Sequence, residues 1–553
     1  MEKDQLFVIA IGGTGMRCLE SFVHLCAIGM FDNEEINILT LDTDQGNGNK
    51  ARVENLIDLY RKVKSNDVQN IDGGEPNTDT FFSAKLNLYR FFTDYSKDDS
   101  NNYQKLSRVV SGNLKSQAEN KDLSSLFFQD DSVQRFNLAH GYRAQTHLGS
   151  MLMYHAIIQA VRNATNNNEK ARSEEKDLHS FLTMLVQAGQ NARVFIFGSV
   201  FGGTGASSIP IIPRALADAS KLMGGNVLNL DSAVKFGSTL LTEYFTFTSP
   251  DKNKLKAEGV IASADNFAIN SQAALQFYQD DPTVKSCYKR LYLIGWPLQN
   301  EDFCADGSNA PTGGAEQKNP CHVVELLCAC AAYDFFTLGR EELDNTKTAK
   351  YCYRCIESMD KVFKFKGSDF IDKGDYFLNK LGAFFSLAHV VLAKQGASKI
   401  GQEGIKGLLK RFEEQNIKDY DTITDEQAAQ IDDYMRSFAY SESSAGDRLL
   451  LGWLCQINNS VGNSEFLFAP NAFPNAVKDI NKVDPGAIFM DKKNHWDTGA
   501  VMGMMGNRYD KFIKNTMTDE RSKPKDVQNV KTVKERFLAH LFNGITIAQK
   551  FNN

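Results

Sequence analysis

Roughly the first 340 residues of the chain alternate short, dense apolar runs with longer segments of helical period. Apolar runs of strand length lie at 6–11, 36–41, 194–200, 238–247 and 289–294, and helical patterns lie at 16–29, 142–164, 208–221, 265–278 and from Pro320 onward. Continuous apolar runs are typical of strands buried on both faces, and strands alternating with helices favour a parallel sheet. The pattern therefore predicts an α/β fold with ligands at the carboxyl ends of the strands.

Two regions depart from this alternation. Residues 46–134 are polar and rich in Asn, Asp, Lys and Ser, and we interpret them as an insertion with some helices that packs on the outside of the first domain. Beyond residue 359 the chain changes to helices, strands and longer polar connections, and it closes with a helical pattern at 533–550. We therefore predict a first domain at 1–345, ending in a long central helix, and a smaller α+β domain with a helical C-terminal extension at 360–553.

Composition and charge narrow the class of protein. The 553 residues are 42% hydrophobic and 24% charged, which is ordinary for a globular protein of two or three domains. The net charge of −6 gives no broad reason to expect a nucleic-acid or membrane partner. The first residues lack a signal-peptide pattern, and the apolar segment at 381–393 is too short to span a bilayer. We expect a cytoplasmic protein.

The ten cysteines are spaced irregularly, which favours reduced thiols over a disulfide framework. Cys352 and Cys355 form a lone CxxC pair, and Cys321, Cys328 and Cys330 come somewhat earlier. A zinc site would need a second such pair or a well-spaced histidine. We predict thiols in the core of helices and no metal site built from cysteine.

Two glycine-rich loops each lie between a predicted strand and a predicted helix. They read IGGTGM at 11–16 and FGGTGAS at 201–207. Glycines let backbone N–H groups approach phosphate oxygens, and a helix N-terminus adds partial positive charge. The first loop matches a dinucleotide fingerprint only in part, because Cys18 holds the third glycine position, and the second lacks the lysine of a P-loop. Either loop alone is as well explained by a tight turn, but two in one sheet favour a phosphate site.

Three segments, two of which contain these loops, resemble the tubulin/FtsZ superfamily. Residues 7–25 resemble the family's first strand, first phosphate loop and first helix; 38–51 resemble its second strand and loop; 194–218 resemble its fourth strand and GGGTG-type loop. The resemblance covers about the first 340 residues and is closest to divergent prokaryotic tubulin-like proteins. It implies a tubulin/FtsZ-like parallel-sheet nucleotide-binding domain that takes GTP or GDP with Mg²⁺. ATP stays open, since the preference for guanine rests on the resemblance alone.

The resemblance also assigns phosphate contacts. Arg143 suits a γ-phosphate, because a guanidinium matches phosphate oxygens bidentately, although a surface arginine at a helix start explains it equally well. Asp42 and Asp44 match the loop that meets the terminal phosphate and its Mg²⁺ through water. The full set is Gly12, Gly13, Thr14, Gly15, Asp42, Asp44, Gly141, Arg143, Gly202, Gly203, Thr204, Gly205 and Ala206.

The base pocket that the resemblance implies has two parts. Asn266 or Asn270 would lie on one side, and Asn319 with His322, at the start of the central helix, on the other. An asparagine both donates to and accepts from a purine edge, and a histidine stacks or hydrogen-bonds. A histidine on an apolar helical stretch is otherwise typical of a satisfied core residue.

Hydrolysis would depend on an acidic segment after the central helix. In KGSDFIDKGDYF, Asp369 and Asp372 resemble the family's loop that orients water on the nucleotide of the next subunit, although Gly367 stands where the family has asparagine. A capped helix start explains the aspartates about as well. If they are catalytic, turnover requires head-to-tail self-association, and such contacts generate filaments.

These features leave three functional hypotheses. The first is a GTPase that assembles head-to-tail into filaments, with protein partners possible through 46–134 and the C-terminal extension. The second is a non-polymerising, nucleotide-gated binding module with little or no hydrolysis. The third is an NAD-dependent oxidoreductase, which predicts a catalytic His–Asp pair, and no such pair stands out among the nine histidines.

Overall fold

The structure is a computed structural model. It describes residues 3–44, 46–93, 142, 146–230, 234–245, 264–296, 314–315, 317, 319–354, 356, 358–359, 362–363, 365–388, 404–439, 452–460 and 513–548. Gly141 and Arg143, the predicted γ-phosphate contacts, and Cys355 of the CxxC pair lie outside these residues.

A seven-stranded sheet, parallel throughout, organises the described chain. Its order is β3-β2-β1-β4-β5-β6-β7. The central strands are buried on both faces, which explains their unbroken apolar sequences. The prediction of an α/β fold with a parallel sheet is confirmed. The strands are β1 Gln5–Ile11, β2 Glu35–Asp42, β3 Lys85–Phe92, β4 Ala192–Phe197, β5 Lys235–Leu241, β6 Tyr288–Ile294 and β7 Lys350–Cys352, with a small antiparallel pair of β8 Ser358–Met359 and β9 Val362–Phe363.

Helices cover both faces of the sheet. The helices are α1 Gly12–Ala27, α2 Gly48–Lys64, α3 Thr146–Asn166, α4 Ser173–Ala188, α5 Gly203–Ser208, α6 Ile212–Ser220, α7 Phe267–Asp280, α8 Pro282–Cys287, α9 Val323–Thr337, α10 Arg340–Asp344, α11 Gly367–Phe370, α12 Gly374–Ala388, α13 Gly404–Glu414, α14 Asp425–Ala439, α15 Trp453–Ser460 and α16 Val533–Ala548. One core holds α1, α2, α9 and the helices after residue 366, and the other holds α3, α4 and α6.

The segment predicted to pack outside the first domain supplies part of the main sheet. Within 46–93, α2 packs beside α1, and β3 pairs in parallel with β2 as an edge strand. Val53, Leu56, Ile57 and Tyr60 are buried at helical spacing. This segment therefore belongs to the sheet layers, and its polar composition reflects the exposed face of α2 and the long connection to β3.

The described part of 360–553 packs directly on the first two helices. Tyr434 Oη lies 3.1 Å from His24 Nδ1, and Trp453 Nε1 donates to Ser21 Oγ at 3.0 Å. Its buried residues belong to the same hydrophobic cluster as α1 and α9. No helix within the described ranges is long and apolar enough to cross a membrane.

Candidate functional site at the ends of β1 and β4

Strands β1 and β4 mark the point where the strand order changes direction. They are neighbours in register, with Ala10 opposite Phe197, and the chain continues to β2 on one side and to β5 on the other. Loops that leave such a pair diverge and open a crevice at the carboxyl ends of the strands, where open α/β sheets bind ligands. Both predicted glycine loops leave the sheet at this point.

The two glycine loops touch each other. Gly12 has φ +67°, a conformation that glycine adopts without strain, and α1 begins at this residue rather than near Met16 as predicted. A methyl group on Gly12 would stand 3.2 Å from Cβ of Thr204. Residues nearly two hundred positions apart in sequence therefore form one surface.

Within each loop the residues divide by role. A Cβ on Gly15 would stand 2.5 Å from the Phe197 carbonyl oxygen, and one on Gly205 would stand 2.6 Å from that of Ser199. These glycines therefore permit close packing of helix on strand. The partly exposed residues that a ligand can reach are Gly13, Thr14, Gly202, Gly203 and Thr204.

Ala206 and the following helices anchor the second loop. Ala206 is buried, and its carbonyl accepts a 2.5 Å hydrogen bond from Tyr278 Oη. The predicted single helix at 208–221 is two helices, α5 and α6, because Pro210 and Pro213 interrupt the backbone hydrogen-bond ladder. The loop therefore rests on a short first helix that is fixed to α7.

The backbone at the start of α1 is open to an acceptor. Its cap position is Ile11, which supplies no side-chain hydrogen bond within the described residues, and Gly202 likewise supplies none to α5. The first N–H groups of a helix have no partner inside the helix, and the helix dipole makes that end partly positive. The start of α1 is thus suited to an anion.

Asp42 shapes the loop after β2. Its Oδ1 accepts from the backbone N–H of Thr43 at 2.7 Å and of Asp44 at 3.3 Å, and its Oδ2 accepts from Asn47 Nδ2 at 3.1 Å. Burial, followed by the charge of Asp44, raises the pKa of Asp42 to about 7. Asp42 therefore changes its charge near neutral pH.

Asp44 ties this loop to a distant segment. Its Oδ1 accepts from Gly46 N at 3.0 Å, and its Oδ2 accepts from Gly314 N at 2.6 Å. Gly48 N also donates to the Gly314 carbonyl at 3.0 Å. The two predicted acids, Asp42 and Asp44, therefore hold loops together.

Three carboxamides surround Gly13, and the sequence pattern did not single them out. A Cβ on Gly13 would stand 3.0 Å from Asn47 Nδ2, 3.1 Å from Gln317 Oε1 and 3.5 Å from Asn49 Nδ2. Asn47 caps α2 by accepting from Asn49 N at 2.9 Å, and its Nδ2 donates to Gln317 at 3.0 Å. The cap before a helical pattern was available from sequence as a signal, whereas the contribution of Gln317 needed the fold.

One side of the predicted base pocket lies beside the second glycine loop. Asn270 Nδ2 donates to the Phe201 carbonyl at 3.4 Å, and the Phe201 and Phe267 rings are 4.7 Å apart. Asn266 is exposed at the start of α7. The structure thus brings Asn270 to the loop and leaves Asn266 at the surface.

The other side of the predicted base pocket, Asn319 and His322, lies at the start of α9. The Asn319 carbonyl accepts from Arg52 Nη1 at 3.0 Å. His322 caps α9, with Nδ1 accepting from Val324 N at 3.3 Å, and its ring is buried between Tyr244 and Trp296. Burial, and then the charge of Arg17, lower the pKa of His322 to about 3. His322 is therefore a neutral capping residue in the described structure.

A buried ion pair lies beneath this cap. Arg17 pairs with Glu325, and both side chains are almost fully buried. Glu325 also accepts from Tyr244 Oη at 2.6 Å and from His322 N at 3.0 Å. Because removal of either charge would leave the other buried alone, this pair fixes α1 against α9.

Asp369 and Asp372 are engaged near α11. Asp369 Oδ2 accepts from Lys366 N at 2.6 Å, which is the cap interaction that offered the alternative explanation. Asp372 is exposed and pairs with Arg354 at 2.5 Å. Their role in a neighbouring subunit stays a prediction.

Other candidate sites among the described residues offer fewer polar groups that a ligand could use. A cavity of about 410 Å³ lies at the opposite, amino end of the sheet, with Lys3, Asp4, Asp32 and Glu34 among its lining residues, but these charges already have partners. Among the described residues no cluster of His, Cys, Asp and Glu suits a metal ion, and the described cysteines are free thiols, with Cys321, Cys328 and Cys330 buried.

Comparison with protein families, with curated proteins and with solved structures found no match to this chain. The likeness to the tubulin/FtsZ superfamily therefore rests on the three sequence segments and stays a prediction. The architecture itself is an α/β fold with a seven-stranded parallel sheet, compatible with Rossmann-like nucleotide-binding folds. Function has to be argued from the site.

Proposed function

We propose that the protein binds a nucleoside triphosphate across the two glycine loops. The observation that carries the proposal is their contact at the strand-order switch point, where a methyl group added to Gly12 would stand 3.2 Å from Cβ of Thr204. A single loop is explained by a tight turn, whereas two loops that meet beside an uncapped 16-residue helix offer several backbone N–H groups to one anion. A phosphate chain matches that arrangement.

The acids of the loop after β2 fit a magnesium ion only through bridging water molecules. Asp42 Oδ1 already accepts two hydrogen bonds, and Asp42 Oδ2 and both oxygens of Asp44 accept one each, so one lone pair remains on each of these last three oxygens. Mg²⁺ commonly keeps several waters and takes one or two carboxylates besides phosphate oxygens. These residues would therefore hold the ion through water, and the ion would neutralise phosphate charge.

The resemblance to tubulin/FtsZ proteins extends this proposal to a GTPase. In that form the chain assembles head-to-tail in the cytoplasm, and Asp369 or Asp372 of one subunit orients water on the nucleotide of the next. Guanine is the base that the resemblance favours, with Asn270 beside the second loop as the contact that geometry supports best.

A second candidate is a non-polymerising module that binds nucleotide without turnover. It is favoured by the engagement of Asp369 in a helix cap and of Asp372 in an ion pair with Arg354. Both candidates share the phosphate site and differ only in whether binding leads to assembly and hydrolysis.

The test measures binding, turnover and assembly on the purified full chain. GTP, ATP or tripolyphosphate, each with Mg²⁺, is added at millimolar concentration, and thermal unfolding, phosphate release and negative-stain microscopy are recorded. We expect GTP to raise the unfolding midpoint. Filaments with phosphate release support the GTPase, and protection without either supports the binding module. A midpoint that no phosphate compound moves would contradict nucleotide binding.

A further inference from the structure

A buried side chain beside the first glycine loop lacks hydrogen-bond partners within the described part of the chain. Asn49 is 2% exposed, and neither Nδ2 nor Oδ1 has a partner among the described residues. Leaving a buried polar group unsatisfied costs about 1–3 kcal/mol, and such groups are rare in native proteins. An amide that is kept in this state calls for an external partner.

The position of Asn49 directs its amide at the start of α1. Its backbone N–H donates to Asn47 Oδ1 at 2.9 Å, which fixes the residue in the first turn of α2. Its Nδ2 lies 3.5 Å from the place that a Cβ of Gly13 would occupy. The neighbouring Asn47 and Gln317 bond each other, whereas neither polar atom of the Asn49 side chain has a partner within the described part of the chain.

A second group of this kind lies in the loop after β2. Thr43 is 6% exposed, and its Oγ1 has no partner among the described residues. Thr43 stands between Asp42 and Asp44, whose oxygens are occupied by backbone and side-chain donors. Donors in and around this loop thus satisfy Asp42 and Asp44, whereas the Thr43 hydroxyl and the Asn49 amide have no partner among the described residues.

The chemistry of a carboxamide restricts what completes it. Nδ2 donates and Oδ1 accepts, so a bare phosphate, which offers acceptors alone, satisfies half of the group. A phosphate chain that carries Mg²⁺ presents phosphate oxygens and, next to them, waters that donate. A ribose presents hydroxyls that do both, but the uncapped amides beside Gly13 favour an anion at this spot.

We propose that Asn49 is a ligand-binding residue that recognises the phosphate chain in its magnesium-bound form. Its Nδ2 donates to a phosphate oxygen, and its Oδ1 accepts from a water on the metal ion. This inference rests on the proposed nucleotide site, and it adds a residue for which the resemblance to tubulin/FtsZ proteins supplied no role.

The experiment compares Asn49→Leu with Asn37→Leu. Asn37 is also buried, but its Oδ1 accepts from Asn87 Nδ2 at 3.1 Å and from Tyr89 Oη at 3.4 Å, far from the loops at the other end of β2. Titration calorimetry with Mg²⁺ and either GTP or inorganic tripolyphosphate measures affinity, and thermal unfolding without ligand measures stability.

We expect Asn49→Leu to weaken both ligands by roughly 10- to 100-fold while its unliganded midpoint stays the same or rises. Asn37→Leu should do the reverse: a lower midpoint and unchanged affinity. When EDTA replaces Mg²⁺, the difference between wild type and Asn49→Leu for tripolyphosphate should narrow, because one of the two contacts is gone. Asn49→Asp, which keeps the shape and adds charge against phosphate, should bind at least as weakly as Asn49→Leu.

Four results would overturn parts of this inference. Equal affinity of wild type and both Asn49 variants removes Asn49 from the site. Loss of GTP with tripolyphosphate retained moves the contact to the sugar or base. A difference that EDTA leaves unchanged removes the metal-bound water. A wild type that binds neither compound overturns the proposed function itself, and with it this inference.

Discussion

The polar groups at the two ends of strands β1 and β4 differ in whether they have partners among the described residues. At the amino ends, Asp4 pairs with Arg193 and Arg340, and Arg193 Nη1 also donates to the carbonyl of Leu338 at 2.7 Å, beyond the last turn of α9. At the carboxyl ends, two helices start without side-chain caps within the described residues, and the Asn49 amide has no partner there.

This contrast distinguishes polar groups that stabilise the fold from polar groups that are proposed to bind a ligand. Buried polar groups in folded proteins are nearly always satisfied, so the amino end shows what this chain does when stability alone decides. At the carboxyl end, helix N–H groups and the Asn49 amide have no partner among the described residues. They lie beside glycines, where a larger side chain would block access. Substitutions at the amino end should therefore change the stability strongly and leave ligand affinity unchanged. Substitutions at the carboxyl end should do the reverse.

The largest expected effect tests the amino end. Replacement of Arg193 by leucine leaves Asp4 short of a partner and frees carbonyls of Phe335, Phe336 and Leu338. We expect the free energy of unfolding to fall by about 3–5 kcal/mol, because Asp4 keeps only Arg340 as a partner and three carbonyls lose a charged donor. Denaturant titration measures it.

The control for Arg193→Leu is Arg214→Leu. The Arg214 side chain is 63% exposed and pairs with Asp218 at 2.7 Å on the surface of α6. Its loss should cost less than about 1 kcal/mol. Equal costs for the two variants would contradict the idea that the amino end is a structural anchor.

The next effect tests the carboxyl end. Thr204→Asp places a carboxylate in the first turn of α5, where the helix dipole favours it and where phosphate is proposed to bind. We expect the unliganded midpoint to hold and the affinity for GTP to fall by roughly 100-fold through like-charge repulsion. Calorimetry with Thr204→Asn, which has the same shape without the charge, isolates the repulsion; equal binding by both would place the phosphates elsewhere.

A third prediction uses the titration of Asp42. Its pKa in the folded protein is about 7, above the ordinary value of 3.8, so between these values the folded state holds a proton that the unfolded state has lost. Stability therefore falls as pH rises toward 7. We expect Asp42 to contribute a loss of about 2–3 kcal/mol between pH 5 and pH 8.

Denaturant titrations of wild type and Asp42→Asn across this pH range measure that slope. The asparagine variant should show a flatter dependence and greater stability at pH 8, because it never carries the buried charge. Parallel curves would show that Asp42 stays ionised throughout and that the loop is less closed than its hydrogen bonds indicate.

The smallest expected effect on stability lies at neither end of the strands. Asp372 is 82% exposed in its pair with Arg354, so Asp372→Asn should change the free energy of unfolding by less than about 0.5 kcal/mol. If the acidic segment acts in trans, phosphate release by the assembled protein should drop sharply with GTP binding intact. Release at the wild-type rate would remove the catalytic role and leave the binding module.

Much of the sheet was predictable because its strands are buried on both faces. The apolar runs placed β1, β2 and β6 to within a residue or so of their observed bounds. The edge strand β3 was missed, since its burial is mixed and its Lys, Asn and Arg resemble a loop. Helix α4 was missed altogether, because its charged first turn continues a polar stretch.

The candidate site was predictable where local backbone chemistry decides it. The glycines at 12, 13 and 15 and at 202, 203 and 205 followed from turns between strand and helix. The carboxamides around Gly13 did not, because Gln317 reaches Asn47 across 270 positions and its sequence context carries no motif. His322 stays a predicted base contact, and only the fold shows that its Nδ1 caps α9 and that its ring packs between Tyr244 and Trp296.

By itself the sequence determined the alternation of strands and helices and the positions of the two glycine-rich loops. Hydrophobic periodicity and the conformational freedom of glycine both act over a few residues, so they can be recognised without the fold. Only the tertiary structure decided that the loops meet, that 46–93 joins the sheet, and which polar groups stay open. Those outcomes depend on contacts between distant segments, and whether a buried amide finds a partner is settled only when every neighbour is in place.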